Sequence, residues 1–471
     1  MKYKAGLLSL LVLVLGCSSR MTVRYTSDGV PEVLGGQSPY TFEATEWSTV
    51  DVDTTTGTMV RKSNKVENVV LGLRHTCAID KNADLWCWGN NRYGQTGTEP
   101  SAMVLRPVKA GVSSRKYTMV ALTDNGTCAT TTTNELYCWG YVNSWYKIKL
   151  EENSWKENLV SGVPGTIKRL TGGFNHMCAM LDNGDVYCWG SNVFGSVTGN
   201  PSDARTYVSP VKVKGLGPVN SLAAGQYRTC AGGDVLYCWG LDLSMGPSYR
   251  QDMRADEVSA SSRFWNDLWI ADPEIESSAF RNALDQYAAL KKYTIPVEAD
   301  YIVLGSLQTC ISHETVAYCK GVNNFQSSSS VVYSTEFIKV DVPVKFEQMT
   351  GNGSILCYGG ETTVCSGNLK HLVPADTMTS LGTLHQFTDI SWKVLQVNSW
   401  VIVESRICGI SKDDDLYCWG SSQDTVAGDG GKGANVQPVK VRLADLVQVD
   451  KEKYSITVTD RNGRKATITA N

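Results

Sequence analysis

The chain has 471 residues, with 44 Lys and Arg against 47 Asp and Glu and a formal net charge of −3. That balance argues against a general phosphate-backbone binder, which needs a positive excess or a basic stripe. Hydrophobic residues at 42% and charged residues at 19% exclude wholesale disorder. The 43 Gly, 13 Trp and 15 Cys are the informative part of the composition, the odd cysteine number above all.

At the N-terminus, Lys2 and Lys4 precede an apolar run from Ala5 to Leu15. A helix of that length rises about 16 Å, too little for a hydrocarbon core of about 30 Å. Residues 1–16 are therefore expected to be a secretory signal peptide. Val14-Leu15-Gly16-Cys17 resembles the lipobox of bacterial lipoproteins, although its first position is more often Leu. The resemblance implies cleavage before Cys17 and lipidation of its thiol, and several acyl chains on one residue give stable membrane anchoring. With Ser18 next, it also implies sorting to the outer membrane, surface-exposed or periplasmic. Residues 17–60, rich in Thr, Ser and Gly, are expected to be a tether with some extended structure.

Setting Cys17 aside leaves seven close pairs: Cys77/Cys87, Cys128/Cys138, Cys178/Cys188, Cys230/Cys238, Cys310/Cys319, Cys357/Cys365 and Cys408/Cys418. First cysteines of successive pairs lie 51, 50, 52, 80, 47 and 51 residues apart. A period near 50 with one excess marks a repeat array carrying a single insertion. Each pair encloses a turn-rich stretch, such as Asp182-Asn183-Gly184-Asp185, between runs of alternating apolar residues. That is a β-hairpin pattern, and facing cysteines on antiparallel strands lie close enough for a disulfide. Zinc ligation is the competing reading, but C-x2-C spacings and matching His pairs are missing, and an oxidising compartment favours disulfides.

The residues around the pairs repeat as well. GLRHTCAIDKNADLWCWGNN at 72–91 matches GFNHMCAMLDNGDVYCWGSN at 173–192, and a Gly follows two residues after the second cysteine in all seven copies. With Tyr93-Gly94-Gln95-Thr96-Gly97 and the Pro-Val strands at Pro107-Val108, Pro210-Val211, Pro343-Val344 and Pro438-Val439, the pattern resembles the regulator-of-chromosome-condensation repeat, over roughly 66–445. The resemblance implies an all-β, seven-bladed β-propeller spanning 61–445, in which the Trp after the second cysteine fills an inter-blade layer. Copies five and six lack that Trp, having Lys320 and Ser366 instead, so irregular blades are expected there.

The excess between copies four and five, about 243–297, is expected to be a helical insertion. Asp272-Pro273 reads as a helix start, Ile275, Phe280, Ala283, Leu284, Tyr287 and Leu290 follow at roughly helical spacing, and Lys291 and Lys292 fall in the last turn. Trp145, Tyr146, Trp155, Phe264, Trp265 and Trp269 stand in and near the loops as candidate partner contacts. Residues 446–471 keep the hairpin rhythm with Thr457 and Thr467 where cysteines would fall, and are expected to close the ring or stand as a degenerate hairpin.

No catalytic, cofactor or metal site is expected. His75 and His176 share one repeat position, which points to a structural hydrogen bond to a neighbouring strand. The Asp-rich turns at 182–185 and 413–415 lack the alternating ligand spacing of a calcium loop. Gly428 to Gly433 lacks the phosphate-loop spacing, and no G-x-S-x-G or H-E-x-x-H appears. The expected function is a non-enzymatic, lipid-anchored envelope protein binding a protein or glycan, with no nucleic-acid and no small-GTPase partner. A periplasmic scaffold in outer-membrane assembly is the alternative, and an envelope hydrolase or lyase comes third.

Overall fold

The computed structural model describes residues 64–443 apart from 112–113, 142–154, 204, 243–287, 306–307, 324–331, 353–354, 368, 370–371, 373–384, 388–389, 401–403, 422–427 and 429–434. It also describes short strands at 22–25, 31–34, 41–44, 50–52, 59–61, 455–459 and 465–469. These fall into two compact units, Lys65–Leu443 and a second drawn from Met1–Asn64 with Ala444–Asn471.

The larger unit holds seven four-stranded antiparallel sheets, each made of four consecutive strands, at 66–109, 117–159, 167–212, 221–294, 301–340, 348–387 and 392–441. First strands of successive sheets adjoin one another, and that of sheet seven adjoins that of sheet one, so the sheets are the blades of a closed propeller. Neighbouring blades share hydrophobic cores across their facing sheets, and the closed ring leaves only short edges.

In every blade the two cysteines face each other directly across strands two and three, for example Cys178↔Cys188 and Cys357↔Cys365. All seven are joined as disulfides with Cα atoms 4.1 Å apart, near the spacing of non-hydrogen-bonded cross-strand pairs. Each disulfide also belongs to the core it shares with the next blade. Cys77 and Cys87 pack with Trp139, Cys128 and Cys138 with Trp189, Cys178 and Cys188 with Trp239, and Cys357 and Cys365 with Trp419. At the seam, Cys408 and Cys418 of blade seven pack with Trp88 of blade one. These five indoles are all buried, which bears out the expected inter-blade layer.

The Gly of each copy has a backbone reason. Gly89, Gly140, Gly190, Gly240, Gly321, Gly367 and Gly420 all have φ between 74° and 112°. They sit where pairing of strand three to strand four slips register in blades one, three, five and seven. A Cβ at Gly190 would overlap the carbonyl of Asn175, and one at Gly420 that of Ser405.

Blades five and six are complete despite their missing tryptophans. Blade six fills its layer with Phe346 against Tyr358, ring centroids 5.0 Å apart, over Cys310 and Cys319 of blade five. The helical insertion is not supported among the described residues. Residues 243–287 lie outside them, and Lys291 and Lys292, expected in a last helical turn, lie in a strand. Lys291–Thr294 is the fourth strand of blade four and pairs with Val235 to Cys238. Its residues alternate between half-buried and exposed, the period of a strand with one covered face.

Among the described residues, blade seven takes all four of its strands from 392–441. In the second unit, Ser455–Thr459 and Lys465–Thr469 form a hairpin with Thr457 opposite Thr467, and its first strand pairs with Thr41–Ala44.

Gly190→Ala is expected to destabilise the propeller by at least about 1–2 kcal/mol, the cost of a left-handed L-residue before any clash with the Asn175 carbonyl is counted. A lowered urea midpoint with an unchanged folded circular dichroism spectrum would register it.

Candidate partner-binding face and the latches beneath it

In an up-and-down blade the one-to-two and three-to-four connections leave from one end and the two-to-three hairpins from the other. The hairpin tips are uniformly short, as at 81–84, 182–185 and 314–315, whereas the three-to-four connections run over 92–100, 142–157, 192–205, 241–290, 324–331, 368–384 and 422–434. These connections therefore leave and rejoin the described strands at one end. Long variable connections on a rigid scaffold are where binding residues concentrate.

Of the six aromatic candidates, Trp155 is described; Trp145, Tyr146, Phe264, Trp265 and Trp269 lie outside the described residues. Trp155 is half-buried, its backbone against Gly94 of blade one's connection, with the Lys156 ammonium 5.3 Å from its ring centre. Other rings gather at the same end. Tyr93 stacks on Tyr141 at 5.5 Å, and Tyr227 is flanked by Phe174 at 5.5 Å and Phe194 at 5.0 Å. Successive turns are joined edge to edge, Asp124 N–H to the Phe174 carbonyl and Phe174 N–H to that of Gln226, and Arg74 pairs with Asp124 at 2.8 Å. This makes a preorganised rim in which Phe174, Tyr227 and Asp124 are buried and Tyr93, Phe194 and Arg74 half-buried.

Below the rim, the residue two before each first cysteine latches its blade to the next in four of the seven copies. His75 Nε2 lies 2.7 Å from Thr127 Oγ1 of blade two, and His176 Nε2 lies 2.8 Å from Thr229 Oγ1 of blade four. Thr127 spends its hydroxyl proton on the Gln95 carbonyl at 2.7 Å, so His75 donates from Nε2–H. The Trp139 indole donates to that same carbonyl, and Trp239 donates to the Ser196 carbonyl at the equivalent place. The expectation of a structural hydrogen bond for both histidines is met. The same position holds Arg228 and Arg406, which sequence reading missed. Arg406 closes the seam, donating to the Gly72 and Leu73 carbonyls at 2.6 and 3.1 Å and to Thr76 Oγ1 at 3.1 Å. Arg228 reaches into blade five, to the carbonyls of Gly305 at 2.8 Å and of Gln308, and pairs with buried Asp242. Lys320, in place of the layer Trp, lies 3.6 Å from Asp242 and 3.7 Å from the Tyr293 ring centre. Burial pushes the Lys320 ammonium down to about 8, against the opposing pull of Asp242.

In the Asp-rich turns, Asp185 is engaged by Lys212, Asp414 by Lys393, and Asp415 by Lys65 and Lys440, so these carboxylates serve ion pairs along the blades.

The comparisons agree with this architecture. A profile of the regulator of chromosome condensation (RCC1) repeat matches residues 66–95 and 167–196. The ultraviolet-B receptor UVR8 of Arabidopsis thaliana is 30% identical over 158 residues, covering 32% of this chain and 34% of that protein. The guanine nucleotide exchange factor SRM1 of Saccharomyces cerevisiae is 26% identical over 169 residues, covering 28% of this chain and 35% of its own. The chain thus spans about a third of the length of these two relatives. Among solved structures, Prp20p from Saccharomyces cerevisiae superposes with a TM-score of 0.58 at 14% identity, covering 80% of this chain and 91% of that one; this is a likeness of fold. The protein is a disulfide-stapled, seven-bladed β-propeller. Two of its blades match the regulator-of-chromosome-condensation repeat, at 66–95 and 167–196, and a propeller similar to that family supports a protein-binding or regulatory role.

One expectation is corrected by these findings. A partner list without a small GTPase or nucleic acid does not stand, since one relative is named as a guanine nucleotide exchange factor and Prp20p is described by its binding to Gsp1p and histones. Net charge is a sum over the whole surface and does not set the potential of a single face, so it cannot exclude such partners.

Burial, with the Arg406 guanidinium nearby, pushes His75 down to about 3, and burial alone takes His176 down to about 4. Both start from 6.5, so their contribution to stability is complete above pH 6.5 and is lost as pH falls toward 3–4, where the unfolded chain binds protons that the folded one refuses. Between pH 7 and pH 5 each neutral imidazole should forfeit about 2 kcal/mol. The His75→Gln/His176→Gln double variant should show a flatter urea midpoint than the unaltered chain over that interval.

Proposed function

We propose that the chain is a lipid-anchored, non-enzymatic recognition protein of the bacterial outer membrane, whose propeller presents its long-connection end to a protein or glycan at the cell surface. The observation carrying this reading is the concentration of long three-to-four connections and ring residues on one end of a scaffold whose blades are each fixed by a disulfide. The Val14 to Cys17 motif supports the anchor, and seven disulfides support an oxidising compartment. Rigid blades lower the ordering cost of binding, since little beyond the loops must be immobilised.

The anchor is tested by labelled palmitate, which should enter the full chain and be absent from Cys17→Ala. The face is tested by placing a photo-crosslinking residue at position 155 or, on the opposite end, at position 183, in cells expressing the full chain. Adducts from 155 and none from 183 are expected; the reverse would move the recognition face to the hairpin end. Protease shaving of intact cells, followed through an epitope at 26–30, should remove the tag. Protection until the outer membrane is opened would instead favour a periplasmic scaffold.

A further inference from the structure

On the hairpin end of blade five, at its boundary with blade four, three potential ligands converge that no repeat position explains. Glu298 and Asp300 lie on the segment crossing from the last strand of blade four to the first strand of blade five, and His313 ends the second strand of blade five. Their donor atoms all lie within 4.8 Å of one another. The backbone sets this placement. Ala299 N–H bonds the Gly233 carbonyl of blade four, at 3.2 Å, and Asp300 N–H bonds the Ser312 carbonyl of blade five, at 3.0 Å. Ala299 is fully buried in the core between the blades, so its neighbours Glu298 and Asp300 turn together to the other side. Tyr301 pairs with Ser312, which brings the adjacent Asp300 and His313 alongside each other.

Two polar atoms at this place are unsatisfied. His313 Nδ1 is shut off from solvent and lies 2.9 Å from Asp300 Oδ2, but without the alignment that a hydrogen bond requires. Asn220 Oδ1 is likewise enclosed and has no hydrogen-bond partner, while its amide Nδ2 donates to Glu298 Oε1 and orients that carboxylate. Arg169 Nε donates to the Asn220 carbonyl at 3.2 Å and fixes the residue that does the orienting. The pair of His313 and Asp300 is itself more than a third exposed, and such pairs contribute little on their own.

We propose that Glu298, Asp300 and His313 form a three-ligand site for a divalent transition metal of the Zn2+ class. One imidazole nitrogen with two carboxylates is a borderline donor set, suited to Zn2+ rather than to the all-oxygen shells of Ca2+ and Mg2+. A tetrahedral Zn2+ at about 2.0–2.1 Å from its ligands holds them about 3.4 Å apart, which needs only side-chain adjustment here. Asn220 supplies the outer-shell support that ligating carboxylates use. His313 and Asp300 are each more than a third exposed, so the remaining coordination positions open to water or to a donor from a partner. The ion would tie the segment crossing from blade four to blade five to the hairpin of blade five.

The test is calorimetric titration of the chelator-treated chain, residues 18–471, with ZnCl2, alongside Co2+ absorption. One site of micromolar affinity is expected, with the visible bands of low-coordinate Co2+ and a Zn2+-dependent rise in melting temperature. His313→Gln, Asp300→Asn and Glu298→Gln should each weaken binding at least tenfold, whereas His371→Gln and His385→Gln leave it unchanged. Near-ultraviolet circular dichroism of each variant separates a lost ligand from a lost fold, and Asp300→Asn, at an exposed position, serves if His313→Gln proves unstable. No stoichiometric binding, binding at millimolar metal only, binding indifferent to His313 and Asp300, or preference for Ca2+ would each overturn the proposal.

Discussion

The propeller depends on a single recurring contact, the layer side chain of one blade lying against the disulfide of the blade before it. A blade alone is a small sheet with two apolar faces and cannot exclude water from both. Seating an indole on a fixed cystine supplies the missing cover, and a buried Trp removes on the order of 150–250 Å2 from solvent. The disulfide matters here as a surface as much as a cross-link: it sets the width of the hairpin against which the ring is placed. The positive-φ Gly beyond the layer residue then lets the chain pass close to the turn carbonyl on the same blade.

Where the contact changes, its neighbours change with it. Between blades four and five the Trp is replaced by Lys320 and the His by Arg228, and Asp242 lies between the two cations. Removing charges from water is expensive, so such a cluster stabilises only when its members answer one another, and removing Asp242 would leave two buried cations without their shared complement. The same boundary is where the 241–290 connection leaves and returns. The apolar latch gives way to an ionic one at the place where the repeat is interrupted.

The hairpins, their cystines, the indole layer and the need for Gly were legible in the sequence because each is local: residues that touch are a few positions apart, or a whole repeat apart. The pairing of Lys291–Thr294 was not, since its partner strand, Val235–Gly240, lies beyond the long insertion, and helical periodicity upstream extended easily over two lysines. The pairing of Ser455–Thr459 with Thr41–Ala44 joins opposite ends of the chain and leaves no local trace. Arg228 and Arg406 were findable by aligning the position two before each first cysteine, where His75 and His176 already pointed. Glu298, Asp300 and His313 carry only a carboxylate alternation, too common in sequences to single out.

The order of the cystines along the chain has a consequence for how the protein matures. Every bond joins a cysteine to the next one in sequence, so none is closed around another. An oxidase acting on the chain as it emerges, joining each thiol to its successor, would arrive at the native connectivity with no reshuffling by an isomerase. Cys17 stands outside that count. Left as a free thiol it would capture Cys77 and throw all later pairings out of step, whereas a thioether at Cys17 would remove it from the queue before Cys77 appeared.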